Sequence, residues 1–196
     1  MDKMAALMEK NLQLLLENVE ELTGEELEEE ALEEYRAVQG ASEAALEDFE
    51  ARFQIRLPED FRALYRYKDG SGFLPLIWPQ EEYYHGYRLL SLEEIGRVKG
   101  YFQHEDREMA EYPDCFDEAA LGQLDRRIKP HLFCRRWFPF AEYAGALYLM
   151  LDYDPSEAGT VGQVICYIHD PDFIHYVAPS VTCALERTEA VIEGLV

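Results

Sequence analysis

Residues 53–72 read FQIRLPEDFRALYRYKDGSG, and how this stretch folds decides how the rest of the chain is arranged. Pro58 suits the first position of a helix, where its missing N–H would go unbonded, and Glu59 and Asp60 follow where the positive helix end favours acids. Phe61, Leu64 and Tyr65 recur at helical spacing and form the inner face. Asp69, Gly70, Ser71 and Gly72 then supply residues that tolerate positive φ, so the helix stops and FLPLIW begins extended structure. A glycine-rich loop beside a helix raises the question of a phosphate site. Phosphate cradles place their glycines before a helix, where free N–H groups converge, whereas these follow one. No G-x-x-x-x-G-K-[ST] occurs anywhere in the chain, so the loop is expected to be structural.

Upstream, Met4, Leu7, Met8, Leu12, Leu15, Val19 and Leu22 fall on one helical face, which needs a partner to pack against. Thr23 and Glu26 form a capping-box pattern that predicts a second helix, with Leu27, Ala31, Tyr35 and Val38 inward and Gly40 at its end. Ser42 predicts the start of a third, with Leu46, Phe49 and Phe53 inward. Downstream, RLLSLEEIGRVKGYF predicts a short strand running into a helix, with Ser91 and Glu94 as its capping box. Residues 104–130 are polar and predict a loop with a short helix. The pattern then shortens to period two and to brief apolar runs. HLFCRRWFPFAEY, AGALYLMLDYD, GQVICYIHD and FIHYVA predict consecutive strands, with turns at Ala144-Gly145, 155–162 and 170–172. Connections this short favour antiparallel neighbours. A closing helix carries Val181, Leu185, Ile192 and Leu195 inward. Helices first, strands later and a last helix make this an α+β fold with one largely antiparallel sheet. Residues 1–40 are expected to form an acidic helical extension and residues 41–196 the domain proper.

The 196 residues carry a formal net charge of −22, which argues against nucleic acid, whose binding requires phosphates to be neutralised by Lys and Arg, and against anionic membrane surfaces. The same charge favours fast association with a basic partner. Residues 1–50 hold three basic and sixteen acidic side chains, so most of the imbalance lies there. That face is either simply solvated or a dock for a basic protein. Cys115, Cys134, Cys166 and Cys183 are widely spaced and predict reduced thiols with no metal-like Cys/His cluster. The N-terminus lacks the apolar run of a signal peptide or membrane span, so a cytoplasmic protein is expected.

Several segments together resemble the Smi1/Knr4 family of the SUKH superfamily. They are F-x-x-R-F-x-I-x-LP-x-D-F-R-x-LY-x-x-x-DGS from Phe49 to Ser71, LLSLEEI at 89–95, W-F-PFAEY-x-G at 137–145, and LDYDP with GQVI at 151–165. Order and spacing agree from about residue 42 to 185. The resemblance implies a twisted sheet flanked by helices. It also implies a protein-binding role without a shared catalytic apparatus: an immunity protein that neutralises a bacterial toxin, often a nuclease, or a regulatory interaction module with a housekeeping partner. No cofactor is expected.

Within that reading, the cluster of Trp78, Tyr83, Tyr84 and Tyr87, beside Glu81, Glu82 and Asp69, is the candidate partner-binding loop, because Trp and Tyr dominate protein interfaces. The alternative is that Trp78 and one tyrosine cover the sheet. Asp152 and Asp154 are expected on one side of a sheet end, with Glu142 one strand away, as a partner-facing acidic patch rather than a cation site, since no EF-hand spacing occurs. His169, Asp170, Asp172 and His175 form an acid–base neighbourhood in sequence but lack the motif of a hydrolase, so structural histidines are expected.

Overall fold

The computed structural model describes residues 3–24, 26–79, 85–102, 106–170 and 172–196. Four helices come first: α1 (Lys3–Thr23), α2 (Glu29–Ala37), α3 (Glu43–Phe53) and α4 (Glu59–Tyr67). Strands β1 (Pro75–Ile77) and β2 (Tyr87–Leu89) precede α5 (Leu92–Phe102). A small unit follows, made of β3 (Arg107–Glu108), a 3-10 turn (Met109–Glu111), α6 (Glu118–Gln123) and β4 (His131–Phe133). Then β5 (Trp137–Tyr143), β6 (Leu147–Asp152), β7 (Gln163–Ile168) and β8 (Phe173–Ala178) lead into α7 (Val181–Leu195). The main sheet has the order β1-β2-β5-β6-β7-β8 with every neighbouring pair antiparallel, and β3 and β4 pair separately. This is the expected α+β arrangement.

Both faces of the sheet are covered, and the period of two in β6 shows how. Leu147, Leu149 and Leu151 enter the larger core with residues of α1, α4 and α7. Met150 enters a second core with Trp137, Ile165, Tyr167 and Ile174, and Tyr148 packs against its edge. Phe102 of α5 and Leu132 of β4 close that second face. A strand buried on both sides has no polar alternation to keep, so LYLMLD reads as an apolar run.

The opening stretch works as a knot. Ser71 N donates to Leu89 O at 3.0 Å, Leu89 N donates to Ser71 Oγ at 2.8 Å, and Ser71 Oγ donates to Leu74 O at 2.8 Å. Asp69 Oδ1 accepts from Leu92 N at 2.7 Å, so the aspartate of the loop binds the first turn of α5. Gly70 and Gly72 take φ of +104° and +59°, which lets the chain turn between those bonds. At the other end of α4, Asp60 Oδ2 accepts from Thr182 N at 2.9 Å and from its hydroxyl at 3.2 Å, tying α4 to the start of α7. The glycines of DGSG thus give the loop the turn that lets Ser71 bond β2 and Asp69 bond α5.

Helix α1 packs on the larger core through Met4, Met8, Leu12 and Leu15. Between them the buried Asn11 amide donates to Leu76 O at 3.1 Å and Leu185 O at 3.4 Å, joining α1 to β1 and α7. The Thr23–Glu26 capping box does not form. Instead Thr23 donates its hydroxyl to Val19 O at 2.7 Å, the Gly24 amide closes on Glu20 O, and α2 starts only at Glu29. A threonine still inside a helix meets a free carbonyl one turn back before it meets the amides ahead. Two other predicted caps do form: Ser42 accepts from Ala45 N at 3.2 Å, and Ser91 and Glu94 bond reciprocally at 2.8 and 3.2 Å. HLFCRRWFPFAEY is two strands, because Trp137 N bonds Cys134 O at 3.1 Å and turns the chain between β4 and β5. Among the described residues no helix is long and apolar enough to cross a membrane.

Among the described residues two lysines are buried, Lys68 against the end of α2 and, more deeply, Lys99. Lys99 is 1% exposed, donates to Arg135 O at 2.5 Å and lies 4.4 Å from the centre of the Phe138 ring. Burial pulls its pKa down from 10.5 to about 8. From pH 8 upward the folded chain releases this proton before the unfolded chain does, so the stability contribution rises with pH. From about pH 9 the thiols of Cys134 and Cys166, pushed up by burial to about 11 and about 12, oppose the rise. Denaturant midpoints are therefore expected to climb between pH 7.5 and 9, by no more than the ~1.4 kcal/mol per pH unit of one proton. Lys99→Met is expected to remove that slope, and an unchanged slope in the variant would contradict the assignment.

Candidate partner-binding surface

The residues singled out from sequence separate into several places. Trp78 is 2% exposed and packs with Val191 and Ile192 of α7; its amide donates to Thr188 Oγ1 at 3.1 Å and its indole N–H to Pro75 O at 2.7 Å. Gly86 lies flat on the indole, where an added Cβ would stand 2.4 Å from Cε2. Tyr87 is equally buried, with its hydroxyl 3.3 Å from Cys166 Sγ. These two aromatics cover the sheet, which corrects the expectation that they present rings to a partner. Glu81, Glu82, Tyr83 and Tyr84 lie outside the described residues.

The acids are equally divided. Asp69 is half-buried at the start of α5; burial raises its carboxyl, against the opposing bond from the Leu92 amide. Asp152 is fully buried, accepting from Asp154 N at 2.9 Å and Gln163 Nε2 at 3.0 Å, and burial raises its carboxyl as well. A buried side chain cannot face a partner, so Asp152 leaves the expected acidic patch. Asp154 meets Lys129 at 2.5 Å and His131 at 3.1 Å; burial alone would raise it, but those two bonds hold it below the usual carboxylate range. Glu142 is not near this pair. It is opposite Tyr148, while Asp152 is opposite Trp137, a separation of four residues, or about 13 Å along the strand. Glu142 instead accepts from Arg88 Nη2 at 2.6 Å, and Arg88 Nη1 reaches Glu94 Oε1 at 2.8 Å. His169 Nδ1 is 3.0 Å from Asp172 Oδ1 on the exposed β7–β8 hairpin.

What the fold does assemble is a cleft of about 450 Å³ at the β1 edge of the sheet, lined by Leu22, Phe73, Trp78, His85, Arg88 and Tyr143 among others. Trp78 forms a buried wall, so the exposed groups are different ones. Phe73 is 78% exposed directly after the DGSG loop, and Tyr143 is 37% exposed at the end of β5, its ring stacked on His85 at 4.0 Å. The end of α1 borders the cleft with Leu22 and Thr23, and Glu17, Glu20 and Glu21 just before them are exposed. Phe73, Tyr143 and His85 were missed from sequence. Phe73 had a signal: it falls between a positive-φ glycine and the strand starting at Pro75, where no element can bury it.

An antiparallel sheet covered on both faces by helices and a small second unit, with its loop, cap and turn residues bonded into the fold and the exposed Phe73 and Tyr143 sharing one cleft, defines an α+β domain. The chain belongs to the SMI1/KNR4 family (SUKH-1), whose model matches residues 40–187. No curated protein matches the chain.

Proposed function

We propose that the chain is a non-enzymatic protein-binding domain that acts as an immunity protein, docking a basic toxin domain, a nuclease in the first instance, at the β1-edge cleft. The observation that carries the choice of surface is the exposed Phe73 beside the Tyr143–His85 stack, next to the acidic end of α1. Large aromatics are the usual anchors of a protein interface, and surrounding charge sets steering and specificity. Glu142, with Arg88, lies at the rim, and Glu81, Glu82, Tyr83 and Tyr84 stay candidates on sequence grounds alone. Family membership supports a binding role.

Tagged protein is incubated with lysate of the native host and eluted in salt steps. The expected capture is one basic toxin domain, released by moderate salt because the steering charges are screened, and inhibited on stoichiometric mixing. Phe73→Ala and Tyr143→Ala should each weaken the complex at least about tenfold while leaving the unfolding midpoint within about 2 °C, since both side chains are exposed. Trp78→Ala is unsuitable as a probe, because removing a buried indole would destabilise the fold itself by about 3–5 kcal/mol. Capture indifferent to salt and to both variants would defeat this surface. Capture of a housekeeping protein that these variants release would keep the surface and make the domain a regulatory module.

A further inference from the structure

At the other end of β5 from the cleft, three potential ligand residues meet that the proposed surface does not use. His131 stands on β4, Cys134 begins the turn that follows, and Asp154 comes from the loop after β6. One ligand atom of each, an imidazole nitrogen, Sγ and a carboxylate oxygen, lies within 4.8 Å of the others. The backbone fixes their relation: Trp137 N donates to Cys134 O at 3.1 Å, Tyr153 N donates to Arg136 O at 3.0 Å, and Asp154 N donates to Asp152 Oδ1 at 2.9 Å. The cysteine turn and the aspartate loop are therefore held together independently of the side chains.

The side chains leave coordination capacity unused. His131 Nε2 meets Asp154 Oδ2 at 3.1 Å, while its Nδ1 is buried with no hydrogen-bond partner. Cys134 Sγ accepts only from the Arg136 amide at 3.4 Å among the described bonds. Lys129 holds Asp154 Oδ1 at 2.5 Å, placing a cationic group against the carboxylate.

We infer that His131, Cys134 and Asp154 form a three-ligand site for a thiophilic divalent cation, Zn²⁺ foremost, with a fourth position open to solvent. The donor set selects the ion: Ca²⁺ and Mg²⁺ take oxygen ligands, whereas one nitrogen, one sulfur and one oxygen suit Zn²⁺. Around tetrahedral Zn²⁺, with bonds of about 2.0–2.3 Å, ligand atoms stand about 3.3–3.8 Å apart, so the trio needs to contract by about 1 Å. Binding releases the Cys134 proton to the buffer. The H-x-x-C spacing at 131–134 is in the sequence, but Asp154 is brought in by the fold, which corrects the expectation that no such cluster forms.

Full-length protein stripped of metal with a chelator is titrated with Zn²⁺ in a calorimeter and with Co²⁺ in an absorption spectrometer. The expected result is one ion per chain and a near-ultraviolet thiolate-to-Co²⁺ band. Cys134→Ser should abolish the band and weaken binding at least about tenfold, whereas Cys115→Ser, at an exposed thiol elsewhere, should change neither. Lys129→Gln removes the competing ammonium and should tighten binding by about threefold or more, a gain that a misfolded variant would not give. No heat and no band with the unaltered protein would overturn the site, as would a band that survives Cys134→Ser or affinity unchanged by Lys129→Gln.

Discussion

A chain shortened to residues 41–196 is expected to lose its single cooperative unfolding transition. The family match starts at residue 40, so the sequence alone suggests that the rest can be discarded. The packing argues otherwise. Helix α1 contributes Met4, Met8, Leu12 and Leu15, all at most 8% exposed, to the same core as Leu76, Leu149 and Leu185. Each such side chain is worth on the order of 1.5–3 kcal/mol of burial, against a total domain stability on the order of 5–15 kcal/mol. Truncation also removes the carbonyls at the end of α2 and just beyond it that receive Lys68, whose ammonium donates to Tyr35 O at 2.9 Å and Val38 O at 2.6 Å. The shortened chain would therefore keep an uncompensated cation and bare Leu76 and Leu185 to water. Circular dichroism melting checks it, with full-length Leu15→Ala as a milder companion expected to lose about 2–5 kcal/mol. A shortened chain that melts cooperatively within a few degrees of the full-length protein would mean that residues 1–40 are a true appendage.

Gly40→Ala is expected to destabilise the protein by about 3 kcal/mol, lowering the melting temperature by roughly 6–12 °C. Gly40 was read as the end of α2, yet α2 stops at Ala37. The residue is a glycine for another reason: a Cβ there would lie 1.8 Å from Arg66 O and 2.5 Å from its carbonyl carbon. Backbone cannot rotate aside as a side chain can. The strap through 38–41 would have to leave the end of α4, putting at risk the bonds from Ala41 N to Tyr65 O at 2.7 Å and from Asp69 N to Gln39 O at 3.0 Å. The second of these anchors the aspartate that also binds α5. Gly100→Ala in α5 is the control, because among the described residues nothing lies within 4 Å of the position and helix propensity favours alanine by about 0.5–1 kcal/mol. Equal behaviour of the two variants in chemical denaturation would contradict the close approach.

Local chemistry carried most of the legible fold. The Ser42 cap, the Ser91–Glu94 box, the Ala144-Gly145 turn with φ of +51° and +67°, and the stripe of α1 all depend on neighbours a few residues away. What was misread depends on partners far along the chain. HLFCRRWFPFAEY contains no breaker between its halves; it divides because His131–Phe133 pairs with β3 while Trp137–Tyr143 pairs with β6. Trp78 reads as a surface anchor because the stretch that follows it, PQEEYY, is polar, but α7, over 100 residues later, returns to cover it. The acids failed as a group for the same reason. Glu142 and Asp152 are close in composition and apart in register, and only the pairing of β5 with β6 reveals it. Exposed aromatics are the hardest case, since Phe73 and the buried Phe61 are distinguishable only by where the backbone turns.

The most direct test of the binding surface is amide hydrogen exchange of the protein alone and in complex with the toxin domain it captures. Slowed exchange is expected in residues 71–78, 85–88 and 141–146, around the Phe73 and Tyr143 cleft. Protection confined instead to 115–123, 168–170 and 172–175, segments that border a separate cleft of about 760 Å³ at the β7–β8 hairpin, would contradict the placement of the partner at the β1 edge.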